Sequence, residues 1–141
     1  MADIQRTQDD VRSVLKMEHV VFDRIQFNRI GFRKADGGIS FKARTKVDDN
    51  GNGISRVTLN VKVEKSEEYN AEVQITGYFS IDENNPEKDV LLNKNAVAIL
   101  FPYVRSEFSL LTAQPETDPI VLPVMNISAM LDKANGTAVD E

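Results

Sequence analysis

The sequence contains no cysteine, which excludes disulfide bonds, thiolate nucleophiles and cysteine-ligated metals. A reducing compartment suits such a chain, and we expect it in the cytoplasm. His19 is the only histidine, and a lone histidine without cysteine cannot assemble a common zinc site. The sequence also lacks a nucleophile-elbow motif and a glycine-rich phosphate loop after a strand. We therefore expect neither enzyme activity nor a cofactor.

The sequence has no excess of basic residues: it contains 17 lysines and arginines and 22 acidic residues, which gives a net charge of −5. This balance disfavours a nucleic-acid partner, because phosphate binding needs a concentrated basic surface. The longest apolar run, Ala96 to Val104, is well short of the about 20 residues that span a bilayer. Residues 1–10 are polar and show no signal-peptide core. We therefore expect one globular domain over residues 1–141, without membrane insertion.

Residues 18–82 have the character of four β-strands. Apolar and polar side chains alternate in residues 39–47, 57–63 and 69–81, which indicates one apolar face and one wet face. Residues 19–33 are also β-rich, but their alternation changes parity near Asp23-Arg24 and near Asn28-Arg29, which predicts bulges or bends. The pattern is typical of an antiparallel sheet.

Residues 83–114 change to a helical period. Asn85-Pro86 predicts a helix start and a short turn through Leu92, followed by a main helix that ends before Pro115. Pro102 interrupts the hydrogen bonding of that helix, which indicates either a kinked helix or the junction of two shorter ones. The apolar stripe predicted to cover the sheet is Val97, Leu100, Tyr103 or Val104, Phe108 and Leu111.

The remaining segments complete an α+β layout: a four-stranded antiparallel sheet with a long kinked helix and a short C-terminal helix on one face. Residues 1–17 form an N-terminal extension, in which Thr7 to Asp10 resembles a capping box. Residues 83–133 hold the helices and a proline-punctuated apolar connection between them, with Asn126 capping the second helix. Residues 134–141 are a polar tail that we expect to be flexible.

The segment from Ile120 to Met125 is apolar, has neither helical nor strand period, and lies between Pro119 and a helix start. Two interpretations are open. The segment could plug the edge of its own core, or it could form one wall of a groove for extended apolar polypeptide.

Residues 48–53, with the sequence Asp-Asp-Asn-Gly-Asn-Gly, match the first half of a calcium-binding loop. The twelfth position of that pattern is Leu59, where a bidentate glutamate is required, and strands flank the loop in place of helices. The residues are equally typical of a hairpin turn, which is the interpretation that we favour.

The order of elements and three motifs resemble the SecB export chaperones. The motifs are Phe22 to Phe32, the hairpin that ends in Gly77-Tyr78-Phe79-Ser80-Ile81, and the helix segment Ile99 to Glu107 with its Leu-Phe-Pro-Tyr core. Leu122 to Ile127 is similar to the family's crossover loop and second-helix start. Together the resemblance covers about residues 20–131.

This resemblance implies a homo-oligomer, either a dimer or a tetramer, that binds unfolded polypeptide clients without nucleotide or metal. It implies a peptide-binding groove under the crossover loop. By this analogy the groove residues are Phe79, Ile120, Val121, Leu122, Val124 and Met125.

The resemblance also implies a partner-docking face on the sheet, where acidic side chains of the export chaperones meet the translocase motor. The matching positions here are Arg29, Arg33 and Glu72, and only Glu72 keeps its acid. Replacing carboxylate with guanidinium reverses the attraction, so docking of the motor is doubtful.

Three functional hypotheses follow. The leading one is a cytoplasmic chaperone of SecB type, with a possible part in protein export. The second is an oligomeric adaptor of the same fold that binds one specific protein partner. The third is a small-molecule binding protein that uses the same groove.

Overall fold

The structure is a computed structural model that describes residues 15–49 and 52–122. Its sheet contains β1 (Lys16–Arg29), β2 (Ile39–Asp49), β3 (Ile54–Lys65) and β4 (Tyr69–Ser80). All neighbouring strands are antiparallel and their order is β1-β4-β3-β2, a Greek-key arrangement. The four predicted strands are therefore confirmed, although β1 ends at Arg29 and not at Arg33.

The sheet has one face that packs against the helices and one face that the described elements leave uncovered, as the predicted alternation of side chains requires. Val57, Val61 and Val73 point to the helix side and are almost fully buried. Their neighbours in sequence, such as Lys62 and Glu72, point to the opposite side, on which no described element packs. We call this second surface the open face.

Strand β1 contains two register shifts, one between Met17 and His19 and one between Phe22 and Arg24. The second agrees with the bulge predicted near Asp23-Arg24. The bulge predicted near Asn28-Arg29 is wrong, because pairing with β4 is regular there. The strand simply ends at that point, and the chain crosses the β3–β4 turn with backbone bonds from Ile30 and Gly31 to the Glu68 carbonyl.

The helical region consists of α1 (Lys88–Val90), a π-helical turn (Leu91–Asn95) and α2 (Ala96–Leu111). Pro102 lies inside α2, so it does not mark a junction of two helices. The irregular turn lies closer to the N-terminus. Of the two candidates for the buried stripe, Val104 is fully buried and Tyr103 is 41% exposed.

Helix α2 packs over β3 and β4 and forms one core with the sheet. Gly77 allows the close approach, because a Cβ atom there would lie 2.6 Å from the Phe79 ring and 2.9 Å from Leu100 Cδ2. The predicted capping box at residues 7–10, the second helix with its Asn126 cap, and the C-terminal tail lie outside the described residues.

Candidate functional site

The segment that follows α2 lies back along the helix. Thr112 Oγ1 accepts a hydrogen bond from the Ile120 amide at 3.0 Å, and Ser109 Oγ donates to the Ile120 carbonyl at 3.2 Å. Arg105 Nε donates to the Leu122 carbonyl at 2.6 Å. Three polar side chains on one side of α2 therefore fix the backbone of residues 120–122.

Two arginines and a lysine hold the first part of this segment. Arg29 donates to the Glu116 carbonyl at 3.0 Å, to the Pro115 carbonyl at 3.3 Å and to the Thr117 hydroxyl. Asp118 lies 3.2 Å from Arg33 Nη1 and 3.5 Å from Lys65 Nζ. Residues 115–118 are thereby attached to the end of the sheet, and we call these contacts the loop anchor.

The predicted groove residues occupy different environments. Phe79 is fully buried and Leu122 is 3% exposed, so both belong to the core of the chain, and Ile120 packs against that core. Val121 is 63% exposed and points away from it. Val124 and Met125 lie outside the described residues. Up to Leu122 the segment thus alternates, with two side chains that pack into the core and one that is exposed to solvent.

Other apolar side chains are exposed on the helix side of the sheet. Phe22 and Ile25 pair with buried residues of β4 yet are 38% and 47% exposed, because α2 covers β3 and β4 but not the edge strand. On α2 itself, Leu110 is 68% exposed. We define the helix-side apolar surface as Phe22, Ile25, Ile99, Tyr103, Leu110 and Val121. Contiguous exposed apolar surface is typical of protein-binding sites, and these side chains are the candidates for one on this side of the sheet.

The three residues expected to share a docking face are separated by the structure. Glu72 lies on the open face, where Asn60 Nδ2 donates to its carboxylate at 2.7 Å and Arg24 Nη1 lies 3.4 Å away. These hydrogen bonds hold the pKa of the Glu72 carboxyl below its ordinary value. Arg29 is paired with buried Tyr69 on the helix side, and Arg33 lies beyond the strand end. The expectation of one shared face is corrected, because both arginines belong to the loop anchor.

The β3–β4 turn contains a buried carboxylate that sequence reasoning missed. Glu68 is fully buried, Lys65 Nζ lies 3.4 Å away, and neither carboxylate oxygen has a hydrogen-bond partner among the described residues. Burial, with a further contribution from Glu68, raises the pKa of the neighbouring Tyr69 hydroxyl. The sequence offered no signal for this cluster, since Lys-Ser-Glu-Glu is typical of a solvated turn.

The acidic residues of the candidate calcium loop bind basic side chains. Arg56 Nη2 lies 3.2 Å from the Asp48 carboxylate, and Lys88 pairs with Asp49. Within residues 15–49 and 52–122, no cluster of three or more His, Asp or Glu side chains could hold a metal ion. Among those same residues, no helix is long and apolar enough to cross a bilayer.

Comparison with known proteins assigns the family. The sequence model described as preprotein translocase subunit SecB matches residues 19–137. The chain is 30% identical over 82 residues to the protein-export protein SecB of Anaplasma phagocytophilum, and 38% identical over 60 residues to an uncharacterized protein of Methanocaldococcus jannaschii. The chain belongs to the SecB family.

These two alignments cover 55% and 42% of this chain, and 52% and 39% of the respective relatives. The chain thus matches about half the length of these curated relatives or less. A solved structure adds support for the fold: the Mycobacterium tuberculosis SecB-like chaperone Rv1957, in complex with a ChAD peptide from the HigA1 antitoxin. It superposes with a TM-score of 0.71 at 16% identity and covers 86% of this chain and 97% of its own.

Proposed function

We propose that this protein is a SecB-like molecular chaperone that binds unfolded or non-native polypeptide on the helix-side apolar surface. Membership of the SecB family and the fold shared with a peptide-bound chaperone support the proposal. The proposed setting is the cytoplasm, and no enzymatic step is part of the function. The name of the Anaplasma relative suggests protein export as one process in which the chaperone acts.

The observation that carries the proposal is the solvent exposure of the Val121 side chain. Its side chain is 63% exposed, although the backbone on both sides is hydrogen-bonded to α2. A fixed backbone that presents an apolar side chain can contact an extended apolar client without losing much conformational entropy. The rest of the groove, at Val124 and Met125, is proposed by continuity of the sequence.

The proposal does not include docking of a translocase motor at Arg29 and Arg33. Both side chains are bonded to residues 115–118, and a partner would have to break those bonds to use them. We propose instead that the two arginines position the apolar segment for clients.

Suppression of aggregation tests the chaperone function. We expect the wild-type protein to prevent light scattering by a reduced, unfolded test protein at stoichiometric excess. Val121→Asp should lose most of this protection while the circular dichroism spectrum stays unchanged, because a charge on an exposed apolar contact disfavours binding but not folding.

The matched control is Val21→Asp, which makes the same change at a position 46% exposed on the open face. It should protect as well as wild type. An assembled wild-type protein that gives no protection would refute the chaperone proposal and favour the adaptor hypothesis.

A further inference from the structure

The open face carries a row of cations on the edge strand β2. Lys42, Arg44 and Lys46 occupy alternate positions of that strand, and their side chains are exposed. In the strand register Lys42 lies directly opposite Lys62 of β3. Like charges at directly opposed positions destabilise a sheet. The fold therefore tolerates an unfavourable pair at this place.

The cations of the open face differ in their partners. Arg24 lies 3.4 Å from Glu72, and Arg56 lies 3.2 Å from Asp48. Over the described residues, Lys42, Arg44 and Lys62 have no ion pair within 4.0 Å.

Two carboxylates lie near this group and offset its charge only in part. Glu72 is opposite Lys62 in the register, but Asn60 and Arg24 already occupy its oxygens. Glu64 follows Lys62 on the same face and is the other acidic side chain there. Around the first part of the open face, Arg24, Lys42, Arg44 and Lys62 carry four positive charges, and Glu64 and Glu72 carry two negative charges. This part of the face is therefore net positive, although the whole chain carries −5.

The shape of the open face suits an extended ligand. A depression of about 380 Å³ has Lys42 and Arg44 on one side and the amides of Gln26 and Asn28 on the other. A second depression of about 460 Å³ continues along the sheet, and Arg44 lines both. Asp23 and Asp48 also line this second depression, so the excess of cations is larger around the first. Amide side chains both donate and accept, so they can bond to the N–H and C=O groups of a peptide backbone.

We propose that this cationic trough, formed by Lys42, Arg44 and Lys62 with the facing amides, binds an acidic and extended segment of a partner protein. Alternate residues of a strand are separated by about 6.8 Å, which is also the spacing of alternate side chains in an extended peptide. The partner segment therefore carries carboxylates at every second position.

A polypeptide fits this surface better than nucleic acid. Glu64 and Glu72 line the same depression as the cations, and they would repel a continuous phosphate backbone, whereas a peptide can place neutral residues beside them. The trough lies on the opposite side of the sheet from Val121. A partner can therefore bind there while the proposed client surface stays free, so the two proposals stand independently.

Fluorescence anisotropy with a labelled, end-capped peptide of alternating threonine and glutamate tests the proposal on the full-length chain. We expect saturable binding that weakens as salt rises, and no binding of the matching threonine–glutamine peptide. Lys42→Glu should weaken binding at least about tenfold, because it removes one charge contact and adds a repulsive one.

Lys94→Glu is the matched control, since it makes the same charge change at an exposed position before α2 and should leave binding unchanged. Lys42→Glu also replaces the like-charge pair with an opposite-charge pair, so its melting temperature should not fall. Loss of binding with retained stability then assigns the effect to the trough.

Three results would overturn the proposal. The first is no binding of the acidic peptide at millimolar concentration, and the second is an equal loss with Lys94→Glu. The third is preference for a single-stranded oligonucleotide that competes the peptide away. If Val121→Asp kept its protection in the aggregation assay, the proposed client surface would be contradicted but the trough would not, because Val121 lies on the other face.

Discussion

Gly77 sets the distance between the helix and the sheet through the absence of a side chain. A Cβ atom at this position would lie 2.6 Å from the Phe79 ring and 2.9 Å from Leu100 Cδ2, both of which are fully buried. Gly77→Ala should therefore destabilise the protein by about 1–3 kcal/mol, since neither neighbour can move without opening the core. The midpoint of urea denaturation measures this change.

Gly38→Ala is the control for this prediction. Nothing lies within 4 Å of the Cβ position of Gly38, and its φ is not in the left-handed region. The alanine should be neutral there, or slightly stabilising through the unfolded chain. Equal midpoints for the two variants would mean that α2 does not pack as closely on Gly77 as described.

At the scale of elements, the loop anchor determines where the apolar segment lies. Arg29→Ala removes the hydrogen bonds to Glu116, Pro115 and Thr117, each worth about 1 kcal/mol net. We expect hydrogen exchange at the Ile120 amide to become about tenfold faster, because residues 115–118 no longer hold the segment against α2. Mass spectrometry or NMR measures this rate.

Arg24→Ala provides the comparison, because Arg24 is also an exposed β1 arginine with a partner but contacts Glu72 on the open face. It should leave Ile120 protected. An unchanged exchange rate in Arg29→Ala would show that the remaining contacts, from Arg105, Ser109 and Thr112 and to Asp118, hold the segment without Arg29.

At the scale of the whole molecule, exposed apolar residues outside the core predict self-association. Ile99, Tyr103 and Leu110 remain exposed on α2 after the helix has packed on the sheet. We propose that a second copy of the chain covers these three residues, as in the dimers or tetramers that family resemblance implied, so that Phe22, Ile25 and Val121 of the helix-side apolar surface remain for clients in the assembled protein. Leu110→Asp should reduce the molar mass measured by light scattering, because burying an unpaired carboxylate in an interface has a large free-energy cost.

Val21→Asp should keep the assembled mass, since Val21 lies on the open face. A wild-type protein that is strictly monomeric at all concentrations would contradict this prediction. In a monomer, the proposed client surface would consist of residues from one chain.

Local pattern was sufficient for the strands and for the buried stripe of α2. Alternation in residues 57–63 and 69–81 predicted correctly which residues lie on each face, because successive side chains of a strand point to opposite sides. The bulge at Asp23 was visible for the same reason. The bulge near Met17 was missed, since the residues before it offered no reference for parity.

The candidate site was less predictable, because most of its contacts join distant residues. Arg29 and Glu116 are 87 positions apart, and nothing in either neighbourhood reveals the other. The same holds for Lys42 and Lys62, which became a like-charge pair only when β2 and β3 adopted their register. The apolar character of residues 120–122 was evident, but which of them point inward depended on how the segment docks on α2.

The sequence by itself determined the α+β class, the two-faced sheet, the proline-containing helix and the resemblance to the SecB family. These features follow from periodicity and from short motifs, which are properties of neighbouring residues. Only the tertiary structure decided that Arg29 holds the apolar segment, that Val121 is exposed while Leu122 is buried, and that Lys42, Arg44 and Lys62 come together on the open face. Those outcomes depend on strand order and docking, which bring together residues that the chain keeps far apart.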